Sequence, residues 1–125
     1  MRARTAVAVV LLASAAVTAR AGKTNYFETF VDPVGGVAYG SPVDTRHTAD
    51  TVQYIACSVS FSVVAGTRVT CVARSTTAGP LSCSSSRPEV VAIAQAITDN
   101  GYIRFECDGT EIDYLYTSKG SLWLP

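Results

Sequence analysis

From Tyr102 to Thr117 the chain runs YIRFECDGTEIDYLYT, and this stretch decides the kind of fold to expect. Asp108-Gly109 separates two runs in which apolar and polar residues alternate, which is one of the strongest short signals for a β-hairpin. Because side chains alternate along a strand, Ile103 and Phe105 belong to one face of the hairpin, and the residues between them belong to the other. We therefore expect two antiparallel strands here.

The residues before this hairpin have the pattern of an amphipathic helix. Ser86 and Glu89 are spaced as in a capping box, and Asn100-Gly101 is suited to a helix C-terminus. Between them the apolar residues follow the i, i+3, i+4, i+7 spacing of one helical stripe, which comprises Val90, Ile93, Ala94 and Ile97. The pattern predicts one helix over about residues 87–99.

Further towards the N-terminus, more alternating runs predict strands. Residues 55–63 place apolar side chains on one face and a row of serines on the other, and residues 68–74 alternate again after a turn. A short strand is expected around residues 81–84. Strands, a helix and a final hairpin in this order predict an α+β domain with a small antiparallel sheet and one helix, stapled by disulfides.

Residues 22–51 are less regular, with Pro33, Gly35-Gly36 and Pro42 in a short span. We expect an irregular N-terminal arm here, with one short strand over residues 36–40. Residues 52–125 then form the α+β core. No linker divides the arm from the core, so both are expected to belong to a single domain.

The first 21 residues (1–21) predict a secretory signal peptide. Arg2 and Arg4 form a positive start, residues 5–17 are an unbroken run of apolar and small residues, and Ala19-Arg20-Ala21 suits cleavage before Gly22. The apolar run is shorter than the roughly 20 residues that a permanent membrane span needs. An uncleaved anchor helix is the alternative interpretation. We expect the protein to be secreted or periplasmic.

Removal of that segment changes the charge that bears on function. The whole chain has 125 residues, with ten basic and ten acidic side chains, and its 48% hydrophobic residues argue against a largely disordered chain. The segment carries three of the arginines, so 104 residues remain, with seven basic against ten acidic side chains and a net charge of −3. Nucleic-acid binding relies on clustered Lys and Arg, and a mildly acidic domain argues against it.

Four cysteines follow the signal segment: Cys57, Cys71, Cys83 and Cys107. An even number in a small exported domain predicts two disulfides. If the strands around Cys71 and Cys83 form a hairpin, these two residues face each other, which favours a Cys71–Cys83 bond and leaves Cys57–Cys107. The spacings lack C-x-x-C pairs and the chain has one histidine, so we expect no metal site and no cofactor.

The segment from Arg46 to Cys57, RHTADTVQYIAC, resembles a recurring segment in small exported bacterial proteins of unassigned function. In those proteins an Arg is followed by Ala-Asp and by Gln-Tyr-Ile-Gly-Cys, and later by two further Cys, a Ser-rich stretch, a short helix and a Tyr-x-x-Phe strand. The matching positions here are Cys71, Cys83, residues 84–86 and residues 102–105. Ala56 stands in place of the usual Gly, and the last Cys comes earlier. The resemblance implies an exported, disulfide-bonded domain and brings no catalytic residue.

Aromatic residues near the C-terminus are the candidate binding site. Tyr114 and Tyr116 share a strand face, Tyr102 is expected across the hairpin from them, and Trp123 belongs to a closing apolar tail. Aromatic side chains dominate the recognition energy of many interfaces, and acidic residues of the hairpin are expected to surround these. Burial in an ordinary core is the competing interpretation.

His47 and the acidic residues are weaker candidates. His47 with a nearby carboxylate and a serine suggests a hydrolytic arrangement, but no G-x-S-x-G context is present. Arg46 is expected to pair with Asp50 rather than to act in catalysis. Calcium binding is one interpretation of the acidic residues, and a solvated strand face is the better one; they are Asp99, Glu106, Asp108, Glu111 and Asp113.

These observations together predict a secreted or periplasmic domain that acts by binding and has no catalytic residue. Its expected partner is an extracellular or envelope protein or a glycan. The alternatives are a small secreted hydrolase that uses His47 with a carboxylate, and a structural component of the envelope. Contiguous, exposed tyrosines favour binding, and a His47 ring beyond hydrogen-bond reach of every serine and carboxylate argues against the hydrolase.

Overall fold

The computed structural model describes residues 26–120, which form one seven-stranded sheet and two helices. The predicted α+β class with a small sheet and two disulfides is confirmed. The predicted signal peptide and Trp123 lie outside the described residues. In chain order the elements are β1 (Phe30–Asp32), β2 (Val37–Gly40), α1 (Pro42–Arg46), β3 (Tyr54–Ser62), β4 (Gly66–Arg74), β5 (Leu81–Ser85), α2 (Pro88–Gln95), β6 (Tyr102–Asp108) and β7 (Glu111–Ser118).

The sheet has the strand order β1-β2-β6-β7-β5-β4-β3. All neighbours are antiparallel, as predicted, except β5 and β7, which run parallel and meet at the single register pair Ser84 and Glu111. One backbone hydrogen bond, from the Ser84 N–H to the Thr110 carbonyl at 2.9 Å, also joins these strands. The contact between β5 and β7 is therefore a short seam between a four-stranded and a three-stranded part of the sheet.

One hydrophobic core covers the inner face of both parts. Ile103 and Phe105 of β6 are completely buried, and Val90 and Ala94 of α2 pack onto the sheet over β3, β4 and β7. The strands contribute alternate residues to this core, as the period of two in the sequence predicts. The remaining core residues are Val31, Ala38, Ile55, Val69, Cys71, Ala73, Leu81, Cys83, Ile112 and Leu115.

Helix α2 is shorter than predicted. It ends at Gln95 rather than near residue 99, and the segment after it forms a turn that the Gly101 N–H closes by donating to the Thr98 carbonyl at 3.0 Å. The predicted capping box is wrong, because the N-cap is Arg87 and it makes no side-chain cap bond. Pro88 at the start of the helix lacks an N–H, so one of the orphan donors that a cap normally satisfies is missing.

The N-terminal arm is more regular than expected. It supplies β1 and β2, where one strand was predicted, and the helix α1, which begins at Pro42 with Ser41 as its N-cap. Strand β2 pairs with β6 from Val37 opposite Glu106 to Gly40 opposite Ile103, so the arm is an integral part of the sheet. Strand β2 corresponds to the strand predicted over residues 36–40, whereas β1 has three residues and is too short for alternation to reveal it.

The favoured disulfide pairing is wrong, since the bonds join Cys57 to Cys71 and Cys83 to Cys107. The register behind the prediction is nevertheless correct, because Cys71 does lie opposite Cys83. Strand β4 has a neighbour on each side, and Cys57 of β3 lies opposite the same Cys71, with a Cα–Cα distance of 4.0 Å. Cys107 approaches Cys83 across the seam, with a Cα–Cα distance of 5.8 Å.

Candidate functional site

The outward face of β1, β2, β6 and β7 carries a set of aromatic side chains that we call the aromatic face. Alternation along each strand explains its position: the residues between the aromatic ones, such as Val31, Ala38 and Phe105, point into the core and are buried. A bulge at Glu106/Cys107 shifts the register of β7 and keeps Tyr114 and Tyr116 on the outer side. The aromatic face consists of Phe30, Tyr39, Tyr102, Tyr114 and Tyr116.

The rings form a continuous row across four strands. Phe30 stacks on Tyr39 with their centroids 4.8 Å apart. Tyr39 lies 6.2 Å from Tyr102, and Tyr102 meets Tyr116 edge-on, also at 6.2 Å. Phe27 supports the middle of the row with an edge contact to Tyr102 at 5.5 Å. Aromatic rings at these separations stabilise one another, so the row is held in place before any ligand arrives.

Much of this face remains open to solvent. Tyr114 and Tyr116 are 45% and 44% exposed, Phe30 is exposed to a similar degree, and Tyr102 is partly buried between its neighbours. Burial raises the pKa of the Tyr102 hydroxyl above its ordinary value, so this group stays protonated near neutral pH. The face therefore presents aromatic rings that are partly exposed and partly held by their neighbours.

One ion pair lies among the rings. The Arg104 guanidinium contacts the Glu106 carboxylate, with Nη2 2.6 Å from Oε1, and its central carbon lies 5.9 Å from the centroid of the Tyr114 ring. The hydrogen bond to Glu106 raises the pKa of Arg104 further above its usual value. Since the two charges cancel locally, the aromatic face offers one guanidinium donor without an overall positive field.

The structure brings together three of the four predicted binding residues, Tyr102, Tyr114 and Tyr116; the fourth, Trp123, lies outside the described residues. Sequence reasoning missed Phe30 and Tyr39, which complete the row. The available signal was the short apolar run Val37-Ala38-Tyr39 between glycines, which predicts a strand but does not indicate which strand lies beside it.

The structure does not bring His47 together with the groups that the hydrolytic interpretation requires, as far as residues 26–120 are concerned. It follows α1 as its C-terminal cap residue and is exposed, and within residues 26–120 its imidazole makes no hydrogen bond or ion pair with a serine or a carboxylate. The carboxylate of the nearby Asp44 accepts a hydrogen bond from the Phe27 N–H at 2.9 Å. A nucleophile–base–acid set has hydrogen-bond contact between its members, and the described residues show none at the His47 ring.

Arg46 pairs with Asp99, at 3.8 Å, rather than with Asp50 as predicted. This pair lies in a shallow cleft between α1, the start of β3 and the turn after α2. Both side chains are mostly exposed, so the pair contributes little to stability. The cleft holds one charge of each sign, already in contact, and gives no sign of a specific ligand.

Asp50 and Gln53 form a hydrogen-bonded link between two parts of the fold. The Asp50 carboxylate accepts hydrogen bonds from the Val52 and Gln53 N–H groups, each at 2.8 Å, and from the Gln53 side-chain amide at 2.6 Å. The side-chain oxygen of Gln53, Oε1, in turn accepts a hydrogen bond from the Thr29 N–H at 3.1 Å. These bonds tie the N-terminal arm to the beginning of β3.

The predicted acidic residues do not converge on a cation site. Glu106 contacts Arg104, and Glu111 lies 4.0 Å from Arg87. Among residues 26–120, no group of three or more His, Cys, Asp or Glu side chains is placed to hold a metal ion. In the same range, no helix has both the length and the apolar character needed to cross a membrane.

Comparison with known proteins assigns no relative to this fold or to the aromatic face: no family model, no curated protein and no solved structure matches the chain. The functional inference therefore depends on the geometry of the site.

Proposed function

We propose that this protein is a secreted or periplasmic binding domain that engages an extracellular or envelope protein through its aromatic face. The observation that carries the proposal is the contiguous row of half-exposed rings across β1, β2, β6 and β7. Such a row stabilises a complex because binding buries aromatic surface that is exposed to solvent in the free protein. Two disulfides and the signal-like N-terminus support the compartment.

A protein partner suits this face better than a glycan. A flat platform for a sugar ring would need neighbouring rings in a common plane. The angle between ring planes increases along the row, from 21° for Phe30 and Tyr39 to 67° for Tyr102 and Tyr116, so the row as a whole does not form such a platform. Tilted tyrosines beside an arginine match the composition of protein interfaces, in which Tyr and Arg are enriched. The Arg104 guanidinium adds a fork of donors for a carboxylate or a backbone carbonyl of the partner.

The test compares capture of envelope and medium components by three forms of the immobilised, oxidised protein. The wild type and Tyr54→Ala are expected to retain the same protein, and the double variant Tyr114→Ala/Tyr116→Ala is expected to lose at least about tenfold in affinity for it. Tyr54 is a matched control because it is a tyrosine of similar exposure, 41%, on a strand at the far end of the sheet.

Equal retention by all three forms, or equal loss in Tyr54→Ala and the double variant, contradicts a role for the aromatic face. Retention of a polysaccharide in place of a protein contradicts the choice of partner and supports glycan binding at the same face.

A further inference from the structure

We infer that the free edge of β3 pairs with β3 of a second copy of this chain, forming a twofold dimer with a continuous sheet through both subunits. Among residues 26–120, strand β3 is the last strand of the sheet and pairs on one side with β4. It has nine residues, and Ser58 through Ser62 are all exposed. A long terminal strand presents a row of backbone groups that a further strand can satisfy.

The backbone of β3 is oriented for such pairing. The Cα–Cα distance of 4.0 Å between Cys57 and Cys71 identifies them as a closely spaced pair, in which neither residue hydrogen-bonds to the other. The N–H and C=O groups of Cys57 therefore point away from β4. By alternation, the same groups of Val59 and Phe61 also point to the free edge.

The inner face of β3 extends beyond the core that it helps to form. Ile55, near its start, is buried, whereas Val59 is 38% and Phe61 is 72% exposed. The turn that follows adds Val63 and Val64, at 92% and 93% exposure. Exposed apolar residues at this density mark an interaction surface in a soluble protein. In the proposed dimer, Val59 and Phe61 of the second copy lie against these exposed apolar residues.

Charge favours a second copy as the occupant. Residues 51–67 contain no Asp, Glu, Lys or Arg, so a partner of either sign finds no complementary charge on β3. Two identical uncharged strands meet without like-charge repulsion, and an antiparallel pair about a twofold axis places each apolar residue opposite an apolar strip.

The opposite edge of the sheet is protected, which makes the assembly stop at two. Strand β1 has three residues, ends in Asp32 and is followed by Pro33. A short strand, a charge and a proline are the usual means of blocking edge pairing, and β3 has none of them. Pairing of β3 with β1 of another copy, which would produce open chains, is therefore disfavoured.

The test is the oligomeric state of the oxidised protein, measured by sedimentation from micromolar to millimolar concentration. The wild type and Tyr114→Lys are expected to form dimers that dissociate on dilution. Phe61→Lys is expected to raise the dimer dissociation constant by more than about tenfold, because it replaces an exposed apolar side chain of the contact with a charged one that would have to be buried. Thermal unfolding of each variant verifies that the fold is intact, since both substituted side chains are exposed.

A protein that stays monomeric throughout this range overturns the inference. So does a dimer that survives Phe61→Lys, which would show association through another surface, such as the apolar N-terminal segment. Loss of the dimer in Tyr114→Lys alone would place the contact on the aromatic face and also overturn it. The two faces carry separate variants, so a monomeric protein, or a dimer that survives Phe61→Lys, overturns this inference and leaves the proposed binding function untouched. Loss of the dimer in Tyr114→Lys alone would instead bear on both, because it would make the aromatic face the surface of self-association.

Discussion

Asp50 is the residue whose ionisation matters most to the local structure. Hydrogen bonds from the backbone N–H groups of Gln53 and Val52, and from the Gln53 side chain, hold the pKa of its carboxyl well below the usual range. Gln53 then reaches the N-terminal arm through Thr29. A single carboxylate thus orders a turn, orients an amide side chain and attaches β1 to the rest of the domain.

The first prediction concerns acid stability. A carboxyl whose pKa is lower in the folded than in the unfolded protein stabilises the fold at pH values above the unfolded pKa of about 4. This contribution is lost as the pH falls from there towards the pKa of the folded protein. Asp50→Asn should therefore lower the thermal midpoint at neutral pH, and its difference from wild type should shrink as the pH falls below about 4. Thermal melts across this range measure both effects.

Asp113→Asn serves as the control, because Asp113 is the exposed extra residue of the bulge in β7. A constant difference between Asp50→Asn and wild type at every pH would show that the ionised carboxylate is not what stabilises the turn.

At the scale of elements, the turn between β1 and β2 is held against the end of β6. Gly36 has a φ of +68°, and its carbonyl accepts a hydrogen bond from the Cys107 N–H at 2.7 Å. A Cβ atom at Gly36 would meet the Cys107 carbonyl oxygen at 2.5 Å, which is too close for any side chain. Gly66, the first residue of β4, has a similar φ of +72°, but a Cβ atom there meets nothing within 4 Å.

This contrast gives a matched pair of variants. Gly66→Ala should cost about 1–2 kcal/mol, the ordinary cost of a left-handed conformation for a residue with a Cβ atom. Gly36→Ala should cost clearly more, because the clash with Cys107 must also be relieved by moving one hairpin away from the other. Denaturant unfolding measures both losses. Equal losses would mean that the contact between the turn and β6 is not tight in solution.

In the molecule as a whole, the seam between β5 and β7 is the weakest strand pairing of the sheet, with a single register pair, so other contacts must hold its two sides together. It is crossed by the Cys83–Cys107 bond, by hydrogen bonds from the Ser84 N–H to the Thr110 carbonyl and from the Arg87 guanidinium to the Ile112 carbonyl, and by the ion pair of Arg87 with Glu111. Elsewhere, β3 and β4 share nine register pairs. One disulfide therefore joins two parts of the sheet, and the other reinforces a hairpin that is already paired.

The third prediction follows from this difference. Cys83→Ser/Cys107→Ser should destabilise the domain more than Cys57→Ser/Cys71→Ser. Its longer loop, with a sequence separation of 24 against 14, adds about 0.5 kcal/mol in the loop-closure model, and the loss of the seam adds to this. Chemical denaturation of the two double variants compares them, and a larger loss from the Cys57/Cys71 variant would contradict the role assigned to the seam.

The pairing itself is verified by a tryptic digest without reduction. Cleavage after Arg68, Arg74 and Arg104 places the four cysteines in four different peptides. Because Arg87 precedes a proline and resists cleavage, residues 75–104 stay together as one peptide. The structure predicts that the peptide ending at Arg68 remains joined to residues 69–74, and that residues 75–104 remain joined to residues 105–119. Linkage between residues 69–74 and residues 75–104 would contradict the structure and support the Cys71–Cys83 bond that the sequence analysis favoured.

The amino-acid sequence by itself determined the strands β3 to β7, the hairpin around Asp108-Gly109, and the sharing of one face by Tyr114 and Tyr116. These features follow from alternation and turn chemistry, which are properties of a few neighbouring residues.

Only the tertiary structure decided which cysteines bond, which strands the N-terminal arm joins, and that Phe30 and Tyr39 extend the aromatic face. Each of these depends on the order of strands in the sheet. A central strand such as β4 offers equally good partners on both sides, and local periodicity carries no information about which neighbour lies beyond.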